Sequence, residues 1–162
     1  MVKQTGTNSP SLLNYNPTQL YMTYQYSKTL RVPFEEVIMK VKDTLHQQGF
    51  TMISAMDVRD HMARDLGVNF RNYKILTACN PELSYKAISL EPHIGVFLPC
   101  SIVVQEHENG QTEVSAVSTM QFIDQNMVTP SLELLAAEIN LRLRTAIDGV
   151  HRKKSAFSFA YN

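Results

Sequence analysis

The sequence predicts a two-layer α+β domain: a mixed β-sheet with helices packed on one side, in the approximate order βαβαβαββα. Three observations carry this reading. Short runs in which apolar and polar residues alternate, the period of a half-buried strand, are separated by longer runs with apolar residues every three or four positions, the period of an amphipathic helix. A single Asn-Gly pair between strand-like runs, Asn109-Gly110, marks a hairpin. No internal repeat and no linker-like shift in composition interrupts the 162 residues, a length that suits one domain able to bury a core without disulfides or metal.

Residues 1–18 are rich in Thr, Asn, Ser, Gln and Pro and are expected to form a flexible lead-in. The domain is expected to occupy 19–150, with a tail over 151–162. Tyr24, Tyr26 and Leu30 alternate with Gln25 and Thr29, which predicts a first strand within 21–30. Pro33 opens a helix with Glu35 and Glu36 in its first turn, where the helix dipole favours acids. Phe34, Val37, Ile38, Val41 and Leu45 form its apolar stripe, and Gly49 stops it. A second strand runs over 50–55, and Asp57 caps a short helix that ends near Gly67.

The stretch 73–79 predicts a third strand. Asn80 as N-cap and Pro81 at the first helical position then start a helix to about Leu90. Residues 95–106 read as a loop and a fourth strand, and 112–122 as a fifth strand beyond the hairpin. Thr129-Pro130 starts the last helix, whose Leu132, Leu135, Ala136, Ile139, Leu143 and Ile147 form one face, closed by Gly149. Phe157, Phe159 and Tyr161 alternate in the tail, which reads as a sixth short strand or a docking arm.

Lys+Arg and Asp+Glu number 15 each, so no net field draws the chain to nucleic acid or to an anionic membrane. The basic run His151-Arg152-Lys153-Lys154 reads as a solvated helix end. The first residues lack a signal-peptide apolar core, and no run approaches the ~20 apolar residues of a membrane helix. The expectation is a cytoplasmic protein with no membrane and no nucleic-acid partner. Two cysteines make no disulfide scaffold, and in a reducing compartment both are free thiols.

Those cysteines carry the chemistry the sequence offers. Cys79 stands before Asn80-Pro81, and Cys100 follows Leu98-Pro99. A thiol at a helix start lies under the positive end of the dipole, which favours thiolate. Cys100 is then a resolving partner or second ligand, provided the two Cα atoms lie within about 7 Å. The alternative is that both are small buried apolar groups beside strand-ending prolines. His93, between them, completes a soft Cys/Cys/His set on paper, but its spacing matches no common zinc or copper pattern, and a solvated loop histidine reads as well. Asn80 reads as a cap, or with Pro81 as part of an anion-binding helix start, against which Glu82 argues by charge.

The chain resembles the domain-of-unknown-function 302 family over about 32–150. The resemblance is carried by Gln48-Gly49-Phe50, Asp57-Val58, the run from Tyr73 through Cys79-Asn80-Pro81, Glu91-Pro92, the run Gly95 to Val104 around Leu98-Pro99-Cys100, and the Asn109-Gly110 hairpin. It implies a small bacterial α+β domain and brings no activity, cofactor or catalytic residue with it.

Three functional readings follow. The first is a small-ligand-binding or sensing module with a pocket near Cys79, Asn80, Pro81, His93, Pro99 and Cys100. The second is a thiol-dependent enzyme or soft-metal site using Cys79 and Cys100. The third is an interaction module acting as a homo-oligomer, since a sheet covered on one side leaves a face or an edge open.

Overall fold

The computed structural model describes residues 24–119 and 129–151. The chain runs β1 (Gln25–Leu30), α1 (Phe34–Gln47), β2 (Thr51–Asp57), α2 (Val58–Leu66), β3 (Tyr73–Cys79), α3 (Pro81–Leu90), a 3-10 segment (Pro92–Phe97), β4 (Cys100–Glu106), β5 (Thr112–Val117) and α4 (Pro130–Asp148). This is the α+β architecture the alternating periods predict. The 3-10 segment occupies residues expected to be loop. The sequence-predicted beginning of the first strand, the end of the fifth, the lead-in and the aromatic tail lie outside the described residues.

The five strands form one sheet in the order β1-β5-β4-β3-β2. All four pairings are antiparallel, so the expectation of a mixed sheet is corrected. The reason lies in the connections. A strand–helix–strand unit gives parallel neighbours when the helix alone returns the chain to the starting end of the first strand. After β3 the chain runs through α3 and then the 3-10 segment, which carries it back to the end where β3 finished. Cys100, the first residue of β4, therefore pairs with Ala78, near the last residue of β3. Residues 67–72 do the same after α2, so that Lys74 of β3 faces Asp57 of β2.

The core is a single apolar layer between one sheet face and α1, α3 and α4. Leu76, Ala78, Cys100, Ile102, Val104, Val114 and Ala116 point into it from the sheet. Val37, Val41, Leu45, Ile139, Leu143 and Ile147 meet them from α1 and α4. The predicted helix stripes are the buried ones, and the predicted caps act: Asp57 accepts from the Asp60 N–H, Asn80 from Leu83 and Thr129 from Leu132. Among the described residues, no helix is long and apolar enough to cross a membrane.

Candidate functional site

Antiparallel pairing of β3 with β4 brings the two cysteines to the same corner of the sheet. Cys79 lies one residue past the cross-strand partner of Cys100, diagonal to it, and both thiols are free. Cys100 is 2% exposed. Burial pushes its thiol up to about 11, and the neighbouring Cys79 adds to the rise. A thiol held protonated in this way is a poor nucleophile and a poor metal ligand. The Cys79 sulfur sits 2.8 Å from the Ser84 hydroxyl in the first turn of α3.

Asn80 is buried, and its side chain closes the start of α3 by accepting from Leu83 at 3.1 Å. Pro81 takes the first helical position. His93 is not gathered to the cysteines: its side chain is 94% exposed and its Nδ1 lies 3.0 Å from the Glu91 carboxylate. Pro99 follows a cis peptide bond after Leu98 and is exposed. Among the described residues, no group of three or more His, Cys, Asp and Glu side chains is placed to hold a metal. The cleft that adjoins Leu98, lined by Ala87, Ile94, Phe97, Leu132 and Ile139, encloses about 30 Å³.

Two outcomes follow for the thiols. Iodoacetamide at pH 8 leaves Cys100 unmodified in the native chain and modifies it on unfolding, as read by mass spectrometry; fast native alkylation contradicts its burial. The alkaline stability also carries its signature. The folded thiol titrates at about 11 against an ordinary value of 9.0, so its contribution is complete below pH 9 and is lost as the pH rises through 9 toward 11. Cys100→Ala removes that part of the alkaline slope in denaturant titrations.

The opposite end of the sheet holds a wide groove of about 1260 Å³. It is built where β3 begins, β4 ends and β5 begins, and is flanked by the start of α2 and by the hairpin loop. The hairpin is set by Asn109-Gly110: Asn109 Oδ1 accepts the Gln111 N–H, and Gly110 takes φ +74, a conformation open to glycine. Ahead of β3, Asn72 ties three elements together. Its Oδ1 accepts from Arg59 Nη1 of α2 at 2.8 Å, its Nδ2 donates to Glu106 Oε2 at 2.6 Å, and its backbone carbonyl accepts the Glu106 N–H at 2.9 Å.

Arg71 lies over two rings, its guanidinium carbon 4.8 Å from the Phe70 centroid and 5.4 Å from that of Tyr73. Its Nη2 donates to Gln105 Oε1 at 2.9 Å. Gln105 in turn reaches Glu113, whose other carboxylate oxygen lies 2.9 Å from His107 Nε2. The result is a fixed, hydrogen-bonded polar floor with guanidinium, imidazole and amide groups in one concavity.

Sequence reasoning missed this groove. Its residues are dispersed over 29–111 and come together only through the strand register. The available signal was Asn69-Phe70-Arg71-Asn72-Tyr73, where aromatic and basic residues interleave just before a strand.

The family model for "Domain of unknown function DUF302" matches residues 26–150. A solved structure described as "uncharacterized conserved protein DUF302 from Bacillus stearothermophilus" is similar with a TM-score of 0.72 and 27% sequence identity. The match covers 80% of this chain and 99% of that one. No curated protein matches the chain. The matched span takes in most of the 162 residues, and the chain belongs to the DUF302 family, a domain of unknown function.

Proposed function

We propose that the chain is a small-ligand-binding module whose ligand occupies the groove at the start of β3 and the end of β4. The observation that supports this is the convergence of Arg59, Arg71, Asn72, Gln105 and His107 on one concavity of about 1260 Å³. Ligand sites are commonly concave, with a few polar groups fixed in place, and here the side chains are held by hydrogen bonds between elements. The thiol corner takes an architectural role in this reading: Cys100 is buried in the core, Cys79 is half-buried against the Ser84 hydroxyl, and among the described residues no third ligand stands with them. A cytoplasmic placement goes with free thiols.

The test is backbone amide shift mapping by NMR on the full chain with a mixed fragment set. The expected perturbations cluster at 69–73 and 105–111. Perturbations at 79–84 and 98–100 instead return the ligand to the cysteine corner, and none at either end removes the ligand reading.

A second reading has its own support. The sheet face opposite α1 and α4 carries Met56, Ile75 and Val103 in one cross-strand row, Met56 exposed and the other two half-buried, which suits self-association into a homo-oligomer. Sedimentation at micromolar concentration distinguishes it: a monomer throughout excludes this second reading.

A further inference from the structure

The arginines of this chain are not used alike. Six fall among the described residues: Arg31, Arg59, Arg64, Arg71, Arg142 and Arg144. Arg64 pairs with Asp65 at 3.1 Å and Arg142 with Glu138 at 2.6 Å. Arg144 lies over the Tyr26 ring. The remaining three gather at one end of the sheet. Arg59 and Arg71 line the large groove, and Arg31 lines an adjoining one that shares Glu106, Asn109, Gly110 and Gln111 with it. Among the described residues, none of these three has a carboxylate within ion-pair distance.

What holds Arg59 and Arg71 is neutral. Each donates to the amide oxygen of a neighbour, Asn72 and Gln105 respectively. A guanidinium has five N–H donors in a rigid fork, and one hydrogen bond to an amide leaves most of each fork, and the whole charge, available. Stacking on Phe70 and Tyr73 fixes the plane of Arg71 without neutralising it. Two acids line the groove as well: Glu106 accepts from Asn72, and Glu108 is exposed on the hairpin loop; Glu113 faces His107 and Gln105. Asn72 thus stands between Arg59 and Glu106, and Gln105 between Arg71 and Glu113, so each guanidinium is oriented by an amide and not paired with a carboxylate.

We propose that the groove takes its ligand by an anionic group, a carboxylate or a phosphate, clamped between Arg59 and Arg71. Planar forked recognition of such groups is what arginine does better than lysine. Asn72 and Gln105 are positioning residues, holding the forks open toward the groove. The proposal rests on the groove being the ligand site.

The experiment titrates the full-length chain with three probes of matched size, phenyl phosphate, benzoate and benzamide, read by NMR at the arginine Nε–H and the Asn72 and Gln105 side-chain amides. Phenyl phosphate and benzoate are expected to shift these signals, and benzamide to leave them in place at equal concentration. Arg59→Gln and Arg71→Gln, both on exposed side chains, should each weaken the anions by about tenfold or more, the worth of a charge-assisted hydrogen bond. Arg64→Gln, away from the groove, should leave them unchanged. Benzamide binding in the groove as tightly as benzoate overturns the anion proposal and leaves the ligand reading standing. Groove shifts with none of the three probes overturn both. Anion binding that survives Arg59→Gln and Arg71→Gln overturns the assignment of these residues.

Discussion

Ile102→Ala is expected to lower stability by about 3 kcal/mol, within the range for removing a large buried aliphatic side chain. Ile102 is fully buried on β4, between Leu76 of β3 and Ala116 of β5 and beneath the helix layer. For a chain of this size such a loss moves the midpoint of thermal unfolding down by roughly 6–12 °C. The neighbouring Val103→Ala, on the other face of the same strand, should cost about 1 kcal/mol or less. The contrast tests the register, because a slip of one residue exchanges the two faces. Equal losses, or the reverse order, contradict the pairing of β4.

Gly49→Ala is expected to cost about 2–3 kcal/mol, from two separate sources. Gly49 ends α1 at φ +79, where its N–H reaches the His46 carbonyl and the Phe50 N–H reaches that of Leu45. An L side chain is strained in that conformation. In addition, a Cβ there would stand 2.9 Å from Asn80 Nδ2, closer than van der Waals contact allows. Asn80 is buried and caps α3, so it has little room to yield. The second source is separable. Asn80→Ser keeps a capping oxygen while withdrawing the amide, and in the Gly49→Ala background it should recover part of the loss. Strictly additive effects of the two substitutions, by denaturant titration, contradict the close approach.

The fold was legible where local chemistry and tertiary structure agree. The α1 stripe from Phe34 to Leu45, the caps Asp57, Asn80 and Thr129, and the hairpin at Asn109-Gly110 each follow from residue type and spacing, and each is found in place. The sheet direction was not legible. A sequence of alternating strands and helices leaves open how far each connection travels, and the short 3-10 segment after α3 decides that β4 returns antiparallel to β3. Proximity of Cys79 to Cys100 depends on that same return, so sequence identified the pair without placing it.

The end groove was hidden for a related reason. Arg59, Arg71, Gln105 and His107 carry no recognisable spacing, and an arginine has no sequence mark that says whether a carboxylate will meet it. Register brings Tyr73 opposite Gln105 and Gln105 opposite Glu113. Only then do Arg71 and His107 fall at the two ends of one hydrogen-bonded row. Sequence reasoning placed interest at the cysteine end because cysteine is chemically conspicuous, whereas burial there pushes the Cys100 thiol up to about 11.

The measurement that tests the account most directly is a crystal of the full chain soaked with phenyl phosphate. Density is expected for the phosphate between the Arg59 and Arg71 guanidinium groups, with the Asn72 and Gln105 amides still bonded to them. Density at the Asn80–Leu83 turn or under the 3-10 segment, with the groove empty, would contradict it and return the working site to the cysteine corner.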